Sequence, residues 1–270
     1  MSGWTLHGRA TPTLRIDLRG ITPNALAALT AAEIERLPLG CGNALVPLAE
    51  FFRVEPRADD DLVFAADLAR GDRLGWKMDG GRILVEGGAG DYAGACMSGG
   101  EIVVRGSVRD LAACEMAGGL LKIEGDAGDF AAATLPGSMA GMRGGTLVVA
   151  GRAGARFADR MRRGSAIVHG DVGAYAASRL VAGTVAIGGR IGAHGGYGMR
   201  RGSLVLAGGA VEPPPTFVPA LGNADVFWQL LARDLARQGG PFQGLAARRA
   251  VRHLGDLAAD GRGEWIVAAP

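Results

Sequence analysis

A glycine that follows a methionine by three residues recurs along the chain as Gly81, Gly100, Gly119, Gly145, Gly164, Gly183 and Gly202. Successive steps are 19, 19, 26, 19, 19 and 19 residues, so the one irregular step is an insertion of seven. The position three before each glycine holds Met78, Met97, Met116, Met142, Met161, Leu180 and Met199, which places six of the eight methionines in one column. A 19-residue unit is too short to bury an apolar face of its own. Such units become stable only by stacking on copies of themselves.

The register is tight between these marks. A second glycine stands six residues after the first in all seven copies, from Gly87 to Gly208, and a third at nine after in five of them. Between the first two glycines lies a run of about five residues with aliphatic side chains at alternate positions, as in Ile102-Val103-Val104, which is the period of a β-strand. The stretch from Leu62 to Trp76 fits as a worn first copy, with Gly71 one period before Gly90. The expectation is a mainly β chain, a single-stranded β-helix of about eight coils over residues 59–210. Each coil has one strand, a glycine turn and a short second strand around Gly170–Tyr175. At about 4.8 Å per coil the stack is roughly 35–40 Å long. Forty-six glycines and only six per cent aromatic residues agree with closely stacked backbone. Methionine suits an interior ladder because it is unbranched and fills irregular gaps; an exposed methionine groove is the rival reading.

Short α-helical caps are expected at both ends, over residues 1–58 and 211–270, because a stack of strands ends in open edges that need covering. Leu14–Leu18 alternates like a strand, Thr22-Pro23 opens a helix, and Thr30-Ala-Ala-Glu33 is a capping box for a second helix ending before Pro38. Leu39–Leu45 is expected as a loop leading to Leu48–Val54. After Pro213-Pro-Pro215, residues Asn223–Arg237 form an amphipathic helix with Val226, Phe227, Leu230, Leu231 and Leu235 on one side. The insertion, within Thr134–Gly141, interrupts an otherwise uniform wall and is a place for recognition.

Chemistry-bearing residues are sparse. A formal charge of +2 supplies no bulk field for nucleic acid or membrane. Cys41, Cys96 and Cys114 lack C-x-x-C spacing, and neither a signal peptide nor a long apolar run is present, so a reduced, cytoplasmic chain with buried thiols is expected. The four histidines show no metal-ligand spacing. His169 occupies a column otherwise filled by Glu86, Arg105, Glu124, Ala150, Gly188 and Ala207, the variety of a solvated outer face. His194 lies in a glycine-rich run without the βαβ context of a dinucleotide loop. Asp91, Asp110 and Asp129 recur at one offset and are expected to cap turns; stacked acid/base pairs or calcium ligands are the alternative. No catalytic residue and no metal site emerge.

Arginine supplies nearly all the positive charge, since Lys77 and Lys122 are the only lysines, a composition typical of a GC-rich bacterial genome. Arg143, Arg162, Arg163, Arg200 and Arg201 cluster beside the repeat glycines, and stacking is expected to bring Arg143 near Arg162 and Arg179 near Arg160. The strip is either a solvated face paired with acidic columns or a receptor for a polyanionic ligand or an acidic partner. These five arginines are the candidate contact residues.

The run Met-x-x-Gly-x-[Ile/Leu/Val]-x-Val-x-Gly, repeated at nineteen, resembles the β-helical C-terminal domain of glutamate synthase. It is still more similar to the C subunit of formylmethanofuran dehydrogenase. The break Leu135–Gly145, the segments Met161-Arg-Arg-Gly and Met199-Arg-Arg-Gly, and the flanks Pro47–Val54, Pro215-Thr-Phe217 and Gly261–Val267 resemble that subunit's bacterial branch. There the family member is the C subunit of a formyltransferase/hydrolase complex. The resemblance implies a scaffold, non-catalytic in itself, in an enzyme complex of one-carbon (formaldehyde) oxidation. Its implied partners are an amidohydrolase-like subunit with a divalent metal, a formyltransferase subunit and a further dehydrogenase-like subunit. The complex moves a formyl group from formyl-tetrahydromethanopterin to a methanofuran analogue, whose tail is polyglutamate-like and anionic, and hydrolyses the product to formate. The resemblance implies no cofactor on the chain itself, although the arginine strip is placed to contact that tail or a partner subunit. A molybdenum or tungsten formylmethanofuran dehydrogenase subunit, a glutamate-synthase-like structural domain and an independent polysaccharide-cleaving β-helix are the alternatives.

Overall fold

The computed structural model describes residues 3–208, 211–221 and 224–269. The N-terminal part holds β1 (Trp4–Gly8), β2 (Ile16–Asp17), the short helices α1 (Pro23–Leu26) and α2 (Ala31–Glu35), the hairpin β3 (Pro38–Cys41) and β4 (Ala44–Pro47), and β5 (Phe52–Pro56). Helix α2 begins with the expected box: the Thr30 hydroxyl accepts from the Glu33 N–H, and the Glu33 carboxylate accepts from the Thr30 N–H at 2.8 Å, satisfying two donors the helix leaves unpaired. The segment expected as a loop is instead the β3–β4 hairpin, with Cys41 opposite Ala44. Its two-residue turn places Gly42 at φ +60°, the left-handed geometry that a tight hairpin needs.

The repeats then supply β6 (Leu62–Ala65), followed by the short β7 (Gly71–Asp72), and β8 (Arg82–Val85), β9 (Glu101–Val104), β10 (Leu120–Ile123), β11 (Arg143–Val149), β12 (Arg163–Val168), β13 (Thr184–Ile187) and β14 (Ser203–Leu206). The C-terminal part adds β15 (Val218–Pro219), α3 (Asp225–Ala236), β16 (Ala250–Gly255) and β17 (Gly263–Ala268). The protein is mainly β, and its principal sheet of 13 strands runs β15-β16-β17-β14-β13-β12-β11-β10-β9-β8-β6-β1-β5. Pairing from β6 to β14 is parallel, and from β8 onward equivalent positions of successive copies face each other, for example Ile83 with Ile102 and Val168 with Ile187, except at the start of β11. Both ends are finished alike. A further parallel strand, β1 or β17, is added and then covered by an antiparallel one, β5 or β16.

A second line of contact joins single residues of successive copies: Leu68, Ala89, Val108, Ala127, Ala153, Val172 and Ile191. The second strand expected around Gly170–Tyr175 is thus one bridging residue per copy. The segment after that residue is not extended, because alternate residues such as Tyr175, Ala177 and Arg179 are left-handed, with φ between +52° and +60°. Their N–H groups donate across to neighbouring copies, to the carbonyls of Ala193, Phe157 and Tyr197 at 2.7–2.8 Å. Those inter-copy bonds offset a conformation that costs a non-glycine residue about 1–2 kcal/mol.

The interior is the ladder foreseen from the repeat. Met97, Met116, Met142, Met161, Leu180 and Met199 are fully buried, as are Ile83, Ile102, Leu121 and Leu147. The repeat glycines from Gly81 to Gly202 have φ between +78° and +102°. The second glycine column has the other reason for being glycine: a Cβ on Gly106 would lie 2.7 Å from the Gly88 nitrogen.

On the outer side of β12–β14, Ile167, Ala186 and Val205 pack with Ile266 against Trp228, Ala232, Leu235, Phe242 and Leu245. Helix α3 is therefore anchored by Trp228, whose Nε1–H donates to the Arg248 carbonyl at 2.7 Å. Val226 and Leu230, expected on the buried side with Leu235, are 76% and 64% exposed. The tryptophan ring rotates the helix about its axis, because it is the largest apolar group to bury. Asn223, the expected first residue of this helix, and positions 209–210 at the end of the repeat lie outside the described residues.

Candidate functional site

The candidate arginines come from the two positions preceding the repeat glycine. In early copies the nearer of these is itself glycine, since a Cβ on Gly99, Gly118 or Gly144 would meet a carbonyl of the preceding copy at 2.3–2.4 Å. The pairing of β11 with β12 breaks register between Arg143 and Thr146, and after that break the position carries side chains: Arg163, Ala182 and Arg201. A bulge of this kind bends a strand and re-aims its residues.

Arg143, Arg162, Arg163, Arg200 and Arg201 are all exposed and line one groove of about 650 Å³ with Val181 and Ala182 between them. In the strand pairing Arg143 stands opposite Arg163, one residue on from the expected Arg162. Arg143 is bound by Glu115. The other four have no carboxylate partner among the described residues, whereas Arg82 pairs with Asp61 and Glu101, and Arg109 with Asp91. Four uncompensated guanidinium groups on adjacent copies repel one another, and an anion laid along the groove relieves that repulsion through charge-assisted, forked hydrogen bonds.

Sequence comparison finds a curated relative, the C subunit of the formyltransferase/hydrolase complex (Fhc) of Methylorubrum extorquens, 42% identical over 86 residues. That match covers 32% of this chain and 32% of the relative. Structural comparison finds a chain in the crystal structure of the formyltransferase/hydrolase complex (FhcABCD) from Methylorubrum extorquens in complex with methylofuran. The TM-score is 0.89 and the identity 39%, over 98% of this chain and 100% of that one. This chain belongs to the family of the Fhc C subunit. No protein-family model matches it.

Elsewhere in this family member the remaining candidates are absorbed by structure. The Asp72 carboxylate accepts from the Asp91 N–H at 2.8 Å, that of Asp110 from the Asp129 N–H at 2.8 Å, and that of Asp129 from the Ala155 N–H at 2.7 Å. Each aspartate caps the same turn of the next copy, as expected, and the ladder stops where Ala155 offers no acceptor. His169, expected on a solvated face, is half-buried under the C-terminal extension. Its ring lies edge-on to Phe242 at 5.6 Å, and its Nε2 is buried with no hydrogen-bond partner among the described residues. The column does face outward, but residues beyond the repeat cover it there. Burial holds this imidazole below its usual pKa, with a smaller contribution from Lys122. His194 stacks on Tyr175 at 4.7 Å. Burial pushes the Cys114 thiol strongly up, and that of Cys96 up to a lesser degree.

Among the described residues no three His, Cys, Asp or Glu side chains converge as a metal site, and no helix is long and apolar enough to cross a membrane. A neighbouring cleft of about 390 Å³ was not foreseen as a unit. It joins Arg160, Arg179 and Tyr197 to the groove's Arg162, Val181 and Arg200, beneath Met139 of the insertion and beside Asp256, Ala258 and Ala259. The expected approach of Arg179 to Arg160 and the insertion were the visible signals for it. The turn at Asp256–Ala259, which arrives from the far end of the chain, left no such trace.

Proposed function

We propose that this chain is the non-catalytic C subunit of a cytoplasmic formyltransferase/hydrolase complex. Its repeat region, residues 59–210, forms a β-helix of eight coils, closed by residues 1–58 and 211–270. In that complex a formyltransferase subunit passes the formyl group of formyl-tetrahydromethanopterin to a methanofuran analogue. An amidohydrolase-like subunit, carrying the divalent metal, then adds water across the formyl amide to release formate. A dehydrogenase-like subunit completes the assembly. In this reading the metal belongs to the amidohydrolase-like partner, and this chain is a rigid wall against which partners are positioned.

The observation that carries the reading is the match to a chain of the FhcABCD structure along the full length of both chains. Parallel pairing from β6 to β14 and the bridges from Leu68 to Ile191 support the winding, since they join successive copies along one line as far as β14 and along a second as far as Ile191. Unpaired Arg162, Arg163, Arg200 and Arg201, with Arg143 at one end, support a contact surface for the anionic tail of the methanofuran analogue or for an acidic partner surface. The test is native co-purification with mass identification of the partners. Recovery of formyltransferase and amidohydrolase-like chains, with no formyl transfer or hydrolysis by this chain alone, is the expected result. Turnover by the isolated chain would refute the scaffold role.

A further inference from the structure

Seven of the twelve large apolar side chains that stand exposed among the described residues belong to the C-terminal extension, which is less than a quarter of the chain. Helix α3 supplies three of them. One of its faces, with Trp228, Ala232 and Leu235, lies on the repeat, and the other presents Val226, Phe227 and Leu230. A helix that is apolar on both faces belongs in a place where both are covered. Phe227 and Val251 also line a hollow of about 700 Å³ between α3 and β16. The principal sheet is unfinished beside it. Strand β15 pairs only with His253 and Leu254, and the Ala220 N–H donates to the Arg252 carbonyl at 2.9 Å. Among the described residues this leaves the outer edge of β16 open at Ala250 and Val251, and an open edge invites another chain. The charges lining the hollow are also unbalanced. Arg248 donates to the carbonyls of Ala207, Ala268 and Ala269 at 2.7–2.9 Å, and Arg252 is paired with Glu264 at 2.9 Å. Exposed Arg249 has no carboxylate partner among the described residues. The charges of Arg248 and Arg249 thus exceed that of the single lining acid, Asp225.

We propose that this face, the outer side of α3 with the hollow beside β16, is where a partner subunit docks, through an apolar segment flanked by carboxylates. The apolar part covers Val226, Phe227 and Leu230, and a carboxylate meets Arg249 as a forked, charge-assisted pair. A contiguous apolar patch rimmed by polar groups is the usual mark of such a surface. A second copy of this chain fits it poorly. A two-fold contact sets the same patch against itself and brings the Arg248 and Arg249 charges of both copies together, while a head-to-tail contact does not close. A carboxylate-bearing partner supplies the missing counter-charge instead. The structural match covers 98% of this chain, so the extension is shared with a chain found inside an assembled complex. The inference rests on the subunit reading given above.

The test is made on the assembled complex, purified through a tag on this chain. A photo-reactive benzoylphenylalanine in place of Leu230 is expected to cross-link to one partner subunit, at a peptide that carries aliphatic and acidic residues together. Val226→Asp with Leu230→Asp is expected to lower recovery of that subunit about tenfold or more. Arg249→Gln is expected to lower it about threefold at low salt and less at high salt. Melting temperatures of the variants show whether the fold is kept, and if the double variant unfolds, the cross-link and Arg249→Gln decide. A cross-link to a second copy of this chain, or unchanged recovery of every subunit with the folded double variant, overturns the docking face and leaves the subunit reading standing. Recovery of no partner by the unmodified chain overturns both.

Discussion

Two glycines with nearly the same backbone angle separate the reasons for which this fold uses glycine. Gly119, in the wall, has φ +85°, and Gly137, in the inserted loop, has φ +83°. A Cβ on Gly137 meets nothing within 4 Å, whereas on Gly119 it falls 2.6 Å from the Gly100 carbonyl oxygen and 2.6 Å from the Met97 Cε. Gly137→Ala therefore incurs only the left-handed cost, about 1–2 kcal/mol, reduced by the stiffer unfolded chain to about 1 kcal/mol. Gly119→Ala incurs the same cost and must also push two backbones apart by about 0.8 Å to regain ordinary 3.4 Å contact. That motion strains the bond from the Leu120 N–H to the Gly100 carbonyl, now 2.9 Å. Overpacking at about 1–3 kcal/mol and a weakened hydrogen bond at about 1 kcal/mol bring the total to about 3–5 kcal/mol. For a chain of this size each kcal/mol lowers the melting temperature by about 2–4 °C. Thermal melts followed by circular dichroism should thus fall by about 3 °C for Gly137→Ala and by about 10 °C for Gly119→Ala. Equal shifts would refute the close-approach argument and leave backbone angle as the sole reason for the column.

Three other measurements probe the core, the thiols and the C-terminal cover. Met116→Ala, at a fully buried rung, should cost about 2–5 kcal/mol in urea unfolding, whereas Met139→Ala, at a position 68% exposed, should lie within about 0.5 kcal/mol of the parent. In the native protein Cys114, fully buried with its thiol held up by burial, should alkylate at least about a hundredfold more slowly than half-buried Cys41. Peptide mass mapping reads this, and denaturant should erase the difference. The folded-state pKa of His169 lies below its unfolded value of about 6.5, so the unfolded or undocked form binds the proton more readily. Its contribution to docking is complete above about pH 6.5 and is lost as pH falls toward the lowered folded value. Limited proteolysis of the C-terminal extension should accelerate as pH falls from about 7.5 to 5.5, and His169→Leu should flatten that dependence.

The repeat was legible because its causes are local and recur. A left-handed turn, a backbone too close for a Cβ and an inward methionine each leave the same residue at the same offset, so seven copies reinforce one another. The aspartate ladder was legible for the same reason. Its acceptors point one period forward, and the ladder ends at the first copy that lacks one. The α2 capping box and the arginine strip were also visible, as residue types in sequence positions.

The features that the residues did not reveal depend on which distant segment lies on top of them. His169 reads as solvated from its column, but Phe242, seventy-three residues later, covers it. Strands β1 and β17 join the stack from opposite ends of the chain and share no repeat register that would announce their pairing. Helix α3 turned toward its tryptophan and away from Val226 and Leu230, because the groove awaiting it between Ile167, Ala186 and Val205 favours the larger ring. The cleft is of the same kind, with walls from the repeat, a rim from the insertion and an end from a turn near the C-terminus. Periodic backbone geometry is written into the sequence itself, since every copy solves the same steric problem. Coverage, rotation and enclosure were decided only by the tertiary structure, because they are set by single contacts between segments that do not repeat.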